Sequence, residues 1–295
     1  MTVSPENTTL GFIGLGVMGK SMASHLLDAG YPLHVYTRTK EKARPLCSRG
    51  AVWEDSPAAL AARCNLIITI VGYPSDVEQV WLGEGGLIAN TGPGSILIDM
   101  TTSSPELAVR LFEAGRTRSV KVLDAPVSGG DMGARNAALS IMVGGEKSVF
   151  QETLPVFEAM GKNIVFQGPA GSGQHTKLAN QMAIAAGLVA VCEALAYSAK
   201  AGLDPATVLK SIGAGAAGSW SLNNLGPRMI AGDFAPGFYV KHFIKDMTIA
   251  LESSKALGLD TPGLILAREL YKTLAERGYG ELGTQALYKL FVGEE

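Results

Sequence analysis

The chain has 295 residues, with 25 Lys and Arg against 27 Asp and Glu, a formal net charge of -2. That length suits one large domain or two medium ones, and the balanced charge gives no bulk attraction to nucleic acid or an anionic membrane. The opening residues, MTVSPENTT, lack the basic start and apolar run of a signal peptide. The most apolar stretches, LIITIV and AIAAGLVAVCEALAYSA, read as too short or too interrupted for a membrane span. Cys47, Cys64 and Cys192 have no metal or redox spacing. They read as small buried or half-buried thiols in a reducing compartment, with cytoplasm the default and no metal expected.

In chain order, LGFIG and LHVYTR are apolar runs expected as the first two strands of a parallel sheet. GKSMASHLLDAG between them has helical spacing and stops at Gly30. Further strands are expected at LIITIV, SILIDM, VKVLDAP, ALSIMVGG and NIVFQG, with helices around SPAALAARC, SDVEQVW and SPELAVRLFEAGR. This alternation predicts a doubly wound α/β Rossmann domain over residues 1–171, with antiparallel strands at its end. From Gln174 onward the strand signal fades, which predicts an all-α domain over 172–295. A long helix near 173–201, apolar on nearly every face, is expected to be buried all round and to join the two domains, packing against both or against a second subunit. Asp204-Pro205 and Thr261-Pro262 look like helix starts.

Gly14-Leu15-Gly16-Val17-Met18-Gly19 closes the first strand and opens the first helix. The first glycine suits a tight turn, the second lets backbone approach a pyrophosphate, and the third lets helix and strand pack closely. The second strand ends in Tyr36-Thr37-Arg38-Thr39, where the adenosine ribose is usually read. An acid gripping a 2′-hydroxyl is missing there. Arg38, helped by Thr39 and Lys42, suits a 2′-phosphate, so NADP is expected, with NAD the weaker alternative. The bland alternative makes Arg38 a solvated loop charge.

GSGQHTKLANQ sits at the domain junction. Lys177 falls in the first turns of the long helix, and Asn180 and Gln181 follow three and four residues on, sharing its face. A lysine there suits a group that gives a proton to an alkoxide and takes it back. By itself it would read as a surface lysine on an amphipathic helix. Upstream, Ser128-Gly129-Gly130 offers a hydroxyl and exposed backbone N–H groups as a small anion cradle, or else forms a glycine-rich hairpin.

Taken together, GFIGLGVMG, VYTRT, IDMTTSSP, DAPVSGG, GSGQHTKLANQ and FIKDM make the chain resemble the β-hydroxyacid dehydrogenase family, which includes 3-hydroxyisobutyrate dehydrogenase and tartronate semialdehyde reductase. The motifs run almost end to end in the right order. The resemblance implies a Rossmann domain, an all-helical second domain, an active site in the cleft between them, and homodimers or homotetramers. Carried over by position, it makes Lys177 the catalytic acid/base and gives the substrate's acidic group to Ser128, Gly129 and Gly130. It also has Asn180 and Gln181 orient substrate, and Val71, Thr102 and Lys245 contact the cofactor. Asp246, beside Lys245, is expected to order its helix rather than touch substrate. This sequence departs from the family pattern in TIVGYP, where TMLP is frequent, in Gln181, where a second Asn is frequent, and in Ala137, where Gly is common.

The leading expectation is an NADP-preferring reductase or dehydrogenase for a small β-hydroxy acid or its semialdehyde. Two alternatives use the same fold: an imine reductase, whose family members usually lack the lysine, and a cofactor-binding module without catalysis.

Overall fold

Apolar four-residue runs become strands buried on both faces, as a parallel sheet covered by helices on both sides requires. The computed structural model describes residues 2–293. Its contacts divide the chain into two units, Met1–Lys177 and Leu178–Glu295.

The first unit holds β1 (Leu10–Ile13), β2 (Leu33–Tyr36), β3 (Val52–Trp53), β4 (Leu66–Thr69), β5 (Ile96–Asp99) and β6 (Lys121–Asp124). It continues with β7 (Val127–Ser128), β8 (Leu139–Gly145) and β9 (Gly161–Gly168). The sheet order is β3-β2-β1-β4-β5-β6-β8-β7, with β9 on the other edge of β8. Strands β1 to β6 are parallel in the doubly wound order. Antiparallel pairing enters where β6 and β7 meet β8, as the sequence predicted for the end of this domain. Alternate side chains point to opposite faces. Leu10, Phe12, Leu66 and Ile68 face the core formed with Met22, Ala23 and Leu26 of the helix Gly19–Asp28. Ile13, Ile67 and Leu97 face Leu107 and Leu111 of the helix Pro105–Arg116.

The second unit is helical. Its core is built on Leu178, Ala185, Leu188, Cys192 and Leu195 of the long helix Ser172–Lys200, with Phe243, Met247, Ala267 and Tyr271 from later helices. Asp204 caps the helix Pro205–Gly213 by accepting from the Ala206 and Thr207 N–H groups. The long helix is continuous over 29 residues, so the apolar segment expected to be too interrupted is long and apolar enough to cross a membrane by composition. Ala185, Leu188, Cys192 and Leu195 supply the helical core, whereas Ala183, Ala186, Ala190 and Tyr197 are exposed, so the helix is not buried all round as its composition predicts. Elements that escaped the sequence reading include the two-residue strands β3 and β7, the short helices Arg44–Cys47, Leu87–Asn90, Gly130–Arg135 and Lys289–Val292, and the helices Lys147–Glu158 and Trp220–Ile230, each with an internal proline.

Ala137 stands in the left-handed region at φ +48°, just past the short helix Gly130–Arg135. That is the helix-ending position glycine normally fills, which gives the departure noted at Ala137 a physical cost. Ala137→Gly is expected to stabilise the protein by about 0.5–1 kcal/mol, the relieved strain less the added freedom of the unfolded chain. Equilibrium urea unfolding of the two proteins checks this; an unchanged or lower midpoint contradicts it.

Candidate active site

The carboxyl ends of β1 and β4 flank the point where strand order reverses, the place where doubly wound sheets receive ligands. There the chain leaves β1 at Ile13 and turns at Gly14, whose φ is +104°. A Cβ at Gly14 would collide with the Ile70 carbonyl, and one at Gly19 with the Gly14 carbonyl. A Cβ at Gly16 would meet nothing within 4 Å. The outer two glycines therefore let backbone pack on backbone, while the middle one faces open space that a pyrophosphate can approach. Leu15 is buried, Val17 and Met18 are half-buried, and the Lys20 N–H already bonds to the Gly16 carbonyl, 3.2 Å away. This cradle fits a dinucleotide. The Val71 N–H is donated to Thr101 Oγ1 (2.9 Å), so Val71 would touch a cofactor through its other atoms.

Arg38 and Thr39 are exposed beyond β2. The Arg38 side chain is 79% exposed and reaches Asp76, with 3.1 Å between Nη1 and Oδ1. Asp76 also accepts the Tyr73 N–H at the start of the helix Pro74–Leu82. A 2′-phosphate at Arg38 therefore competes with a carboxylate that the sequence reading did not pair with it.

Two buried aspartates end neighbouring strands, Asp99 on β5 and Asp124 on β6, in register with each other. Asp99 Oδ1 accepts from the Thr69 hydroxyl (2.8 Å) and the Thr101 N–H (3.1 Å), and Trp81 Nε1 donates to Thr69 Oγ1 (3.0 Å). Burial pushes the Asp99 carboxyl up to about 6, against the opposing pull of the Thr101 and Thr69 hydrogen bonds, and the neighbouring Asp124 adds to the rise. Asp124 accepts the Gly171 N–H (2.8 Å) and the Gln174 N–H (2.9 Å). Burial raises its carboxyl too, with those N–H groups pulling the other way.

Gln174, fully buried, completes the frame. Its amide donates to the Thr101 carbonyl (2.7 Å) and accepts the Ser103 N–H (2.9 Å). The segment carrying Thr102 is thereby stitched to the start of the long helix, one turn before the buried Lys177. Ser128 lies on β7 opposite Ser140 and is half-buried. Gly129 follows at φ +132°, a conformation side chains resist. A Cβ at Gly130 would meet nothing within 4 Å, so this turn presents open backbone.

In the second unit, Asn180 Nδ2 donates to Gln181 Oε1 (2.8 Å) and Gln181 Nε2 donates to Asp246 Oδ2 (2.6 Å). Lys245 Nζ lies 2.9 Å from Asp246 Oδ1. Three expected site residues thus converge on one buried carboxylate on the helix Val240–Ala256. Gln181 is itself buried with both ends of its amide engaged, so it holds Asn180 in place. Asp99, Asp124 and Gln174 were missed in the sequence. The available signal was an acid closing an apolar strand, in ILID and KVLD. Among the described residues no cluster of three His, Cys, Asp or Glu side chains suits a metal ion.

Comparison with known proteins places this geometry. Residues 9–168 match the NAD binding domain of 6-phosphogluconate dehydrogenase, and residues 171–291 match the family described as NAD-binding of NADP-dependent 3-hydroxyisobutyrate dehydrogenase. The chain belongs to the β-hydroxyacid dehydrogenase family and is an NAD(P)-dependent oxidoreductase of that family. It is 60% identical over 284 residues to the uncharacterized oxidoreductase YkwC of Bacillus subtilis, covering 96% of this chain and 99% of that protein. It is 41% identical to the 2-hydroxy-3-oxopropionate reductase of Escherichia coli, covering 94% and 95%. Among solved structures, the Mycobacterium tuberculosis 3-hydroxyisobutyrate dehydrogenase with L-serine matches at a TM-score of 0.89 and 28% identity, covering 97% of this chain and 99% of that one.

Asp99 ties this frame to pH. Its folded carboxyl titrates near 6 against an ordinary 3.8, so folding favours its protonated form. That contribution is complete below about pH 4, is lost as pH rises through about 6, and amounts to roughly 3 kcal/mol. Asp99→Asn keeps an Oδ1 acceptor for Thr69 and Thr101 and removes the charge. The stability of the variant relative to wild type is expected to rise between pH 4 and 6, then level off. Urea unfolding of both proteins from pH 4 to 7 checks this, and parallel profiles would contradict it.

Proposed function

We propose that this enzyme interconverts a small β-hydroxy acid and its semialdehyde, with NADP preferred over NAD and Lys177 as the acid/base. The observation that carries the reading is the buried Lys177 one turn into a helix whose start is held by Asp124 and Gln174. When bound, the nicotinamide supplies the hydride. The Gly14–Gly19 loop, Val71, Thr102 and Lys245 hold the cofactor, and Arg38 and Thr39 receive the 2′-phosphate. Ser128 and the backbone of Gly129 and Gly130 bind the substrate carboxylate, while Asn180 orients the carbonyl and Gln181 keeps Asn180 in place. Lys177 then gives its proton to the carbonyl oxygen during reduction, and takes it back from the hydroxyl during oxidation. The E. coli and M. tuberculosis proteins, whose names carry a three-carbon hydroxy aldehyde acid and L-serine, support a short acidic substrate.

The enzyme works as a homodimer or homotetramer. Exposed Tyr197, Leu203, Leu257, Leu259 and Leu266 on the helical unit support burial against a second copy. It acts in the cytoplasm, a setting suited to the free thiols Cys47, Cys64 and Cys192. An imine reductase reading is disfavoured by Lys177.

One experiment covers substrate and cofactor. Wild type and Arg38→Ala are assayed on matched acidic and neutral aldehydes, with dissociation constants measured for NADPH and NADH. Acidic aldehydes are expected to give the higher kcat/KM. Arg38 should favour NADPH by at most about tenfold to hundredfold, with the lower end expected because its guanidinium is exposed and already paired with Asp76. Arg38→Ala should erase that preference and leave NADH binding nearly unchanged. Equal wild-type affinity for the two cofactors would refute the NADP preference, and equal kcat/KM across matched aldehydes would refute the carboxylate cradle.

A further inference from the structure

Asp124 divides its carboxylate between two backbone donors. Oδ1 takes the N–H of Gly171 and Oδ2 takes the N–H of Gln174. N–H groups in the first turn of a helix have no partner within the helix. Here the N–H of Gln174, the third residue of the helix, and that of Gly171, which immediately precedes the helix, are satisfied from a strand 50 and 47 residues earlier. The surroundings leave no slack. A Cβ at Gly173 would collide with the Met142 carbonyl and lie 2.7 Å from the Asp124 carbonyl oxygen and 2.8 Å from its Oδ2. A Cβ at Gly144 would lie 2.5 Å from Asp124 Oδ1 and 2.8 Å from the Gly173 nitrogen. The carboxylate, the last residues of β8 and the first turn of the long helix are in backbone contact. Gln174 and Lys177 are three residues apart, almost one turn of that helix. Gln174 is locked at both ends of its side chain, to the Thr101 carbonyl and the Ser103 N–H.

We propose that Asp124 is a positioning residue for proton transfer: it clamps the start of the long helix through the N–H groups of Gly171, just before the helix, and Gln174, in its first turn, and so sets where the Lys177 ammonium stands. The proposal rests on Lys177 being the acid/base. The role assigned to Asp124 requires no contact with substrate or cofactor. Its effect is on the reach of Lys177, and a displacement of about 1 Å at a reacting group is enough to cost about a hundredfold in rate. A carboxylate is required because both positions must accept. In Asp124→Asn one of them becomes an amide NH2 facing a backbone N–H, with almost no change in volume.

The test is a double-mutant cycle on the full chain, with Asp124→Asn, Lys177→Ala and the pair. The readouts are kcat and KM on the best aldehyde, the cofactor dissociation constant, and a melting curve to establish folding at the assay temperature. Asp124→Asn is expected to lower kcat by about tenfold to a hundredfold, with KM and cofactor affinity within about threefold of wild type. In the Lys177→Ala background the same change is expected to alter residual turnover by less than about threefold, because groups that act as a unit are not additive. A folded Asp124→Asn with kcat within about threefold of wild type overturns the proposal. So does an equal loss with and without Lys177, which is the signature of a merely structural acid. If Asp124→Asn does not fold, Gly144→Ala decides by the same criteria, since it keeps every polar group and its Cβ meets the Asp124 carboxylate and the Gly173 nitrogen first. Near wild-type turnover by Lys177→Ala alone would remove the acid/base reading, and this proposal with it. That outcome is told apart from a failure of Asp124 by which single variant keeps its rate.

Discussion

A buried carboxylate facing the open end of a helix is the constraint on which the start of the long helix and the strand ends around it depend. Asp124 gives up its hydration at the end of β6 and recovers part of the loss from the Gly171 and Gln174 N–H groups and the positive end of the helix dipole. Burial still outweighs those bonds, which is why its carboxyl is raised rather than lowered. The arrangement therefore contributes less to stability than its hydrogen bonds alone suggest. Its value lies in direction, because two short bonds to two different backbone groups allow one orientation of the helix start.

The helical unit repeats the device. Asp246 is buried, accepts from Gln181 and lies against the Lys245 ammonium. Gln181 passes the constraint to Asn180. Each unit thus holds its expected site residues by a carboxylate that is itself withdrawn from solvent. Stripping either acid would leave its donors buried without acceptors, at a cost of about 1–3 kcal/mol for each unsatisfied group. The side chains of Asn180 and Lys245 are thus held by contacts to a buried acid and amide beneath them.

The legible part of this chain was local. GLGVMG, with its strand before and helix after, could be assigned because a tight turn and close packing demand glycines at fixed offsets. Lys177, Asn180 and Gln181 shared a helix face by spacing alone. The frame beneath them had no local pattern. Asp124 and its donors are 47 and 50 residues apart, and Gln174 and its Thr101 and Ser103 partners are 73 and 71 apart. An acid closing an apolar strand looks, in sequence, like the first residue of a solvated loop. Arg38 was visible as a charge, but Asp76 lies 38 residues on in a helix cap. The two-residue strands β3 and β7 are too short for alternation to register, and Pro155 and Pro227 mask the helices that contain them.

In the proposed reaction the Lys177 ammonium delivers the proton to the substrate oxygen. Chemical rescue tests it most directly: Lys177→Ala is assayed with saturating cofactor and aldehyde across a series of alkylamines of graded pKa. Turnover of the variant is predicted to fall by about a hundredfold to ten-thousandfold. It should then return in proportion to alkylammonium concentration, with rates that depend on the acidity of the amine. A variant that turns over at near wild-type rate with no amine present would contradict the assignment of Lys177.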